Sequence, residues 1–239
     1  MHPRAGPFGG SATGLEEEQV PWLALLPILA TVGVYLLPHP IHHSTLIQFA
    51  PQLIAYFAFT CWSQLNRNPL RRLGLEWIQL REGWRTGLGV GLLLGIVNVM
   101  VILVVVPRLG RDITFLEETP HARVPTWIMV PWLIVVIAAF VEVNFRGFLL
   151  GRLLLLARCC SPLHAPELGG FLALLTSAIL FAFDPFLVAT FKHLHWIALW
   201  DGLVWGALWI RRRNLYIPIV AHAVEVAILY LVVRAWLER

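Results

Sequence analysis

The stretch TWIMVPWLIVVIAAFVEVNFRGFLL, residues 126–150, decides the fold. A helix crossing a bilayer takes about 20 mostly apolar residues. This run is longer than that, yet it carries Glu142 and Arg146 in its second half. Working outward, the same reading marks 21–38, 46–65, 86–106, 169–190, 195–210 and 214–236. The expected fold is all-α, a polytopic transmembrane helix bundle of about seven spans. Composition agrees, with 58% apolar and 13% charged residues and a mean hydropathy of +0.73, where a soluble domain holds roughly 25% charged residues.

Residues 1–20, rich in Gly, Pro and Ser and carrying Glu16, Glu17 and Glu18, read as a flexible cytoplasmic tail. A secretory signal has a basic start before its apolar middle. Here a triple carboxylate precedes the apolar run, which therefore reads as a first span. Residues 21–239 form a single transmembrane domain.

The net charge of +4 and the pI near 9.3 belong to loops and report orientation, so a nucleic-acid partner is not expected. Put the amino terminus and the loops around 66–85, 151–168 and 211–213 on one side. That side holds Arg67, Arg71, Arg72, Arg81, Arg85 and the run Arg211, Arg212, Arg213, with Arg4, Arg152 and Arg158. The other holds Arg108, Arg111, Arg123, Lys192, Arg234 and Arg239. Cytoplasmic loops are enriched in such cations, which places the amino terminus inside a plasma (inner) membrane. Gly87, Gly91 and Gly95 stand four apart on the third span, and Gly202 and Gly206 on the sixth. Small residues at this interval let helices approach closely in lipid, which predicts a compact bundle.

The informative residues are ionisable groups inside spans, each costing at least about 2.5–3.5 kcal/mol near the bilayer centre. These are Glu142, Arg146, Asp184, Asp201, His222 and Glu225. Glu142 and Arg146 are four apart with the carboxylate first, the favourable order for a helical ion pair. They are either a structural pair that pins the helix or a working pair. His222 and Glu142 each fall about 12 Å from the Arg-rich end at about 1.5 Å per residue, so both are placed to line a cavity opening to the cytoplasm. Glu225, one turn beyond His222, either adds to a polar pocket or fixes the tautomer of His222. Asp184 precedes Pro185, which breaks the helical ladder, and is placed to solvate that break. Lys192, His193 and His195 read as a hydrated turn, and His39, His42 and His43 as a surface cluster. The three cysteines, Cys159 and Cys160 adjacent, supply neither a disulfide framework nor zinc spacing. No cofactor motif is present, and a divalent metal has at most a partial ligand set in Glu142, His222 and Glu225.

The run Val141-Glu142-Val143-Asn144-Phe145-Arg146-Gly147 resembles the first motif, Glu-Glu-x-x-x-Arg, of the CPBP (Abi) family. These are intramembrane endopeptidases related to the type II CAAX prenyl proteases. Ser177 to Phe183 resembles the approach to the second motif, Phe-x-x-x-His. Trp200 to Gly206 and Ile217 to Ala223 resemble the third-motif region, His-x-x-x-Asn or Asp. The resemblance covers about 65–235 and implies water-mediated peptide-bond hydrolysis at a membrane cavity, acting on a membrane-associated protein or peptide. In the family a Glu and a His activate water, while His and Asn steady the oxyanion. Carried over residue by residue, the second Glu and the Arg fall on Glu142 and Arg146, the Phe on Phe181, and the third-motif His on His222. The first Glu falls on Val141, the second-motif His on Pro185, and the Asn or Asp on Val226, none of which moves a proton. Glu142, Asp184 and Glu225 each stand one position away and are the candidate substitutes. The alternative is a non-catalytic scaffold or binding protein on the same frame. A transporter is disfavoured, since no inverted repeat is seen.

Overall fold

The computed structural model describes residues 18–42, 44–160 and 166–239. Residues 1–17, with Glu16 and Glu17, lie outside the described residues, as do His43 and residues 161–165. The described residues are mostly helical, without strands. The principal helices are α1 (Leu25–Leu36), α2 (Thr45–Leu65), α3 (Leu80–Met100), α4 (Ile134–Glu142), α5 (Gly151–Cys160), α6 (Pro166–Ala182), α7 (Pro185–Phe191), α8 (Ile197–Arg212) and α9 (Tyr216–Leu237). A π-helical stretch, Val143–Leu150, joins α4 to α5 without a break.

Among the described residues three helical stretches are long and apolar enough to cross a membrane: Pro69–Arg108, Thr126–Cys159 and Tyr216–Leu237. A fourth exists if the pair Glu167–Ala182 and Pro185–Leu194, bent by 50°, counts as one span. The expected seven segments are all helical, but several are too short or too polar to qualify by length and composition alone. The bend falls where the sequence places Asp184 and Pro185. Asp184 accepts the amides of Phe186 and Leu187 at 3.1 Å each and so caps α7, with Pro185 in its first turn. A capping carboxylate satisfies amides that a helix start leaves open, and proline fits there because it has no N–H to orphan.

The glycine stripe of α3 determines its partner. A side-chain carbon at Gly87 would sit 2.7 Å from the Ile217 carbonyl oxygen, at Gly91 2.6 Å from that of Ala221, and at Gly95 2.8 Å from Ile228. The backbones of α3 and α9 therefore lie in contact, as small residues at this interval allow. Gly206 and Gly202 do the same for α8 against α6, where Leu174 and Ala178 fill the space.

The Arg-rich end is plugged. Trp62, Leu73, Phe148, Leu150, Trp209 and Leu215 form a core there with almost no exposure. The Trp209 indole donates to the Leu73 carbonyl at 2.9 Å, and the Leu215 amide to that of Gly74 at 2.9 Å. Glu18, within the stretch assigned to the tail, is built into this end. Its carboxylate takes Arg152 Nε at 2.6 Å, Arg72 at 3.3 Å and the Trp62 indole at 2.8 Å.

Candidate active site in the membrane cavity

Glu142 closes α4, and the helix widens from the next residue. Wide π-helical turns inside helices often mark functional sites. Glu142 Oε1 accepts from Arg146 at 3.0 Å and faces His222 Nδ1 at 2.8 Å. An ionised carboxylate only accepts, so Nδ1 is the ring nitrogen that donates to it. Glu142 is fully buried and Arg146 is 1% exposed. The guanidinium lies 4.4 Å from the Phe181 ring centre and 5.1 Å from that of Trp205. Gly202 leaves it room, since a side-chain carbon there would meet Arg146 Nη2 at 3.2 Å. Trp205 in turn stacks on His222, with centroids 4.5 Å apart and planes 18° from parallel. The imidazole is thus held from one edge by a carboxylate and from one face by an indole.

His222 lies on the wall of a cavity of about 880 Å³, well within the range of sites that enclose a ligand. Phe140, Phe145, Phe181 and Leu229 supply apolar wall, and Asp184, Asp201, Glu225 and His222 the polar groups. Val141 and Val226 also line it, at the positions where the family motif has its water-activating Glu and its Asn or Asp. Glu142 and Arg146 do not line it. The helix does not rewind to bring Glu142 into the cavity. It points the other way, behind His222.

Asp184 faces the same cavity but is occupied by the cap and by Gln52 Nε2 at 2.9 Å. Glu225 belongs to a second polar cluster. Asn98 Nδ2 donates to Glu225 Oε1 at 2.7 Å and to both oxygens of Asp201 at 3.2 Å. Trp200 Nε1 donates to Asn98 Oδ1 at 3.0 Å. The structure therefore joins Glu142, Arg146 and His222 in one group and Asp201, Glu225 and Asn98 in a neighbouring one, with Asp184 apart from both. Asn98 escapes a reading by charge, although it lies three residues beyond Gly95 on the stripe that meets α9. Asp201 stands out in sequence as a buried charge, but its partner, Asn98, comes from a distant helix.

The cavity extends to Glu117, Thr119 and His121 in the loop after α3, and to Arg234 and Glu238 at the end of α9. That is the side opposite the Arg-rich loops. The helix depths predict an opening on the Arg-rich side, but none of Trp62, Leu73, Phe148, Leu150, Trp209 and Leu215, the core at that end, lines the cavity. Among the described residues no group of three or more His, Cys, Asp or Glu is arranged to hold a metal ion, so Glu142, His222 and Glu225 do not converge as ligands. His193 packs on Phe115, and His195 packs on Phe183 at the cavity wall.

The site is a cavity among apolar helices with a buried Glu–Arg pair supporting a histidine. Residues 123–228 match the family described as type II CAAX prenyl endopeptidase Rce1-like. The match is narrower than the motif texture suggested, and it contains both polar groups except Asn98. No curated protein and no solved structure matches the chain.

Proposed function

We propose that the chain hydrolyses a peptide bond of a membrane-associated or lipid-modified protein inside this cavity. The observation that carries the reading is His222, oriented by Glu142 on the wall of an 880 Å³ cavity that also presents Asp201 and Glu225. Amide hydrolysis needs a proton acceptor near its working pH and donors for the developing oxyanion, and these side chains are of the right types. Glu142 acts as a positioning residue, since it does not reach the cavity. The bundle spans a plasma (inner) membrane about seven times in this reading, with its amino terminus in the cytoplasm. No step requires a metal.

The test is the protein in lipid nanodiscs with two peptide panels, one ending in a prenylated CAAX-type cysteine and one of single-span helices. Cleavage that falls at least about a hundredfold in His222→Ala supports hydrolysis. A specific observation favours a second reading, a non-catalytic binder of such peptides: Val141 and Val226 offer no proton chemistry at two motif positions. Peptide binding without cleavage selects it.

A further inference from the structure

We infer that Asp201 and Glu225 are the acid–base couple of this site, two carboxyl groups that share one proton and activate water against a peptide carbonyl. The inference rests on the hydrolase reading and assigns its chemistry to residues outside the family motif. Both carboxyls line the cavity, from α8 and α9. Asn98 Nδ2 bridges them from α3, donating to Glu225 Oε1 at 2.7 Å and to both Asp201 oxygens at 3.2 Å. The Asn98 amide has a defined sense, because its oxygen is taken by the Trp200 N–H. Its nitrogen therefore faces the carboxyls. Two carboxyls drawn onto one amide nitrogen repel each other when both are ionised, and one proton held between them relieves that repulsion. Arg146 and Glu142, from the fourth segment, and His222, one turn from Glu225 on α9, are the other charged or titratable groups nearby.

A second observation points to a reacting group. Trp205, one turn after Asp201 and 1% exposed, lines the cavity, and its buried indole N–H has no acceptor. Buried donors are rarely left open, and donors held ready in a dry site are what an oxyanion uses. Of the other buried carboxylates, Glu142 is committed to Arg146 and His222, and Asp184 to its cap and Gln52.

The step balances without a co-reactant. The ionised carboxyl takes a proton from water as the water oxygen bonds to the carbonyl carbon. The protonated carboxyl gives its proton to the carbonyl oxygen. When the carbon–nitrogen bond breaks, the carboxyl that took the water proton passes it to the leaving amine. The other recovers its proton as the carbonyl re-forms. The products are one carboxylic acid and one amine, and the pair again holds one proton.

Two measurements test this. The first is turnover of the nanodisc-embedded protein on the prenylated and single-span peptide panels, for wild type, Asp201→Asn and Glu225→Gln, with folding checked by thermal unfolding. At least about a hundredfold loss in each folded variant, with a bell-shaped pH profile for wild type, is expected. Wild-type turnover that survives either substitution, or that rises with pH in a single step, overturns the couple and leaves the hydrolase reading standing. No wild-type turnover overturns the hydrolase reading and the couple's role together. The second needs no substrate. Infrared difference spectra at neutral pH are expected to show one protonated carboxyl band that shifts in heavy water and is lost in both variants. Its absence from wild type overturns the shared proton.

Discussion

Asn98 on α3 reaches Glu225 on α9 at 2.7 Å, one turn past the last glycine that lets those two helices touch. The close approach and the polar contact are consequences of the same small-residue face. Without Gly91 and Gly95 the backbones stand apart, and a side chain as short as asparagine cannot bridge the gap.

Replacing Asn98 by Leu therefore removes a donor shared by two carboxyls and an acceptor used by Trp200. A buried polar group left without its partner costs about 1–3 kcal/mol, and this substitution orphans more than one. The expected outcome is a clearly lowered thermal midpoint in detergent, with smaller losses in Asn98→Gln. An unchanged midpoint in Asn98→Leu would show that the bridge does not hold the helices.

The same helix carries its own control. A methyl group at Gly91 meets the Ala221 carbonyl oxygen at 2.6 Å, whereas nothing lies within 4 Å of Gly89. Overpacking a tight contact costs about 1–3 kcal/mol, while alanine gains up to about 1 kcal/mol over glycine in a helix. Gly91→Ala is expected to destabilise the protein and Gly89→Ala to leave it unchanged or slightly stabilised. Thermal unfolding of the two single variants decides it, and equal effects would refute the α3–α9 contact.

These contacts show what the sequence makes legible. The apolar runs, the stripe of glycines and the break at Asp184–Pro185 are local patterns, so helices, packing face and bend follow from residue order. The pairing of Glu142 with Arg146 is also local. The partners of His222 and Glu225 are not, because the register between distant helices depends on side-chain fit. A motif position one residue away from its usual place looks replaceable on paper. The structure shows the physical cost of that shift, with Val141 facing the cavity and Glu142 turned behind His222.

Breaking the Glu142–Arg146 pair from one side strands a charge. Both side chains are almost fully enclosed, and removing one partner of a buried pair costs about 3–5 kcal/mol. Arg146→Leu and Glu142→Leu are each expected to unfold the protein at markedly lower temperature. The double variant is expected to lose less than the sum, since it leaves no unpaired charge between those two positions. Additive losses in that cycle would show that the two side chains act independently.

The last expectation concerns the plugged end. Glu18 holds Arg152, Arg72 and the Trp62 indole with one carboxylate, while the Arg152 guanidinium sits 4.1 Å from the Trp62 ring centre. Its neighbour Gln19 is fixed by two hydrogen bonds to Asn66. Glu18→Ala leaves the buried Arg152 without its counter-charge and frees the Trp62 N–H, whereas Glu18→Gln keeps a hydrogen-bond acceptor and loses only the charge. In limited proteolysis Glu18→Ala is expected to be cut around residues 18–24 faster than wild type, with Glu18→Gln between them. Trp62 emission is expected to shift in the same order, because the indole loses its acceptor only in the alanine variant. Equal cleavage of all three proteins would mean that this end is held by the apolar core of Trp62, Leu150 and Leu215 and not by the carboxylate.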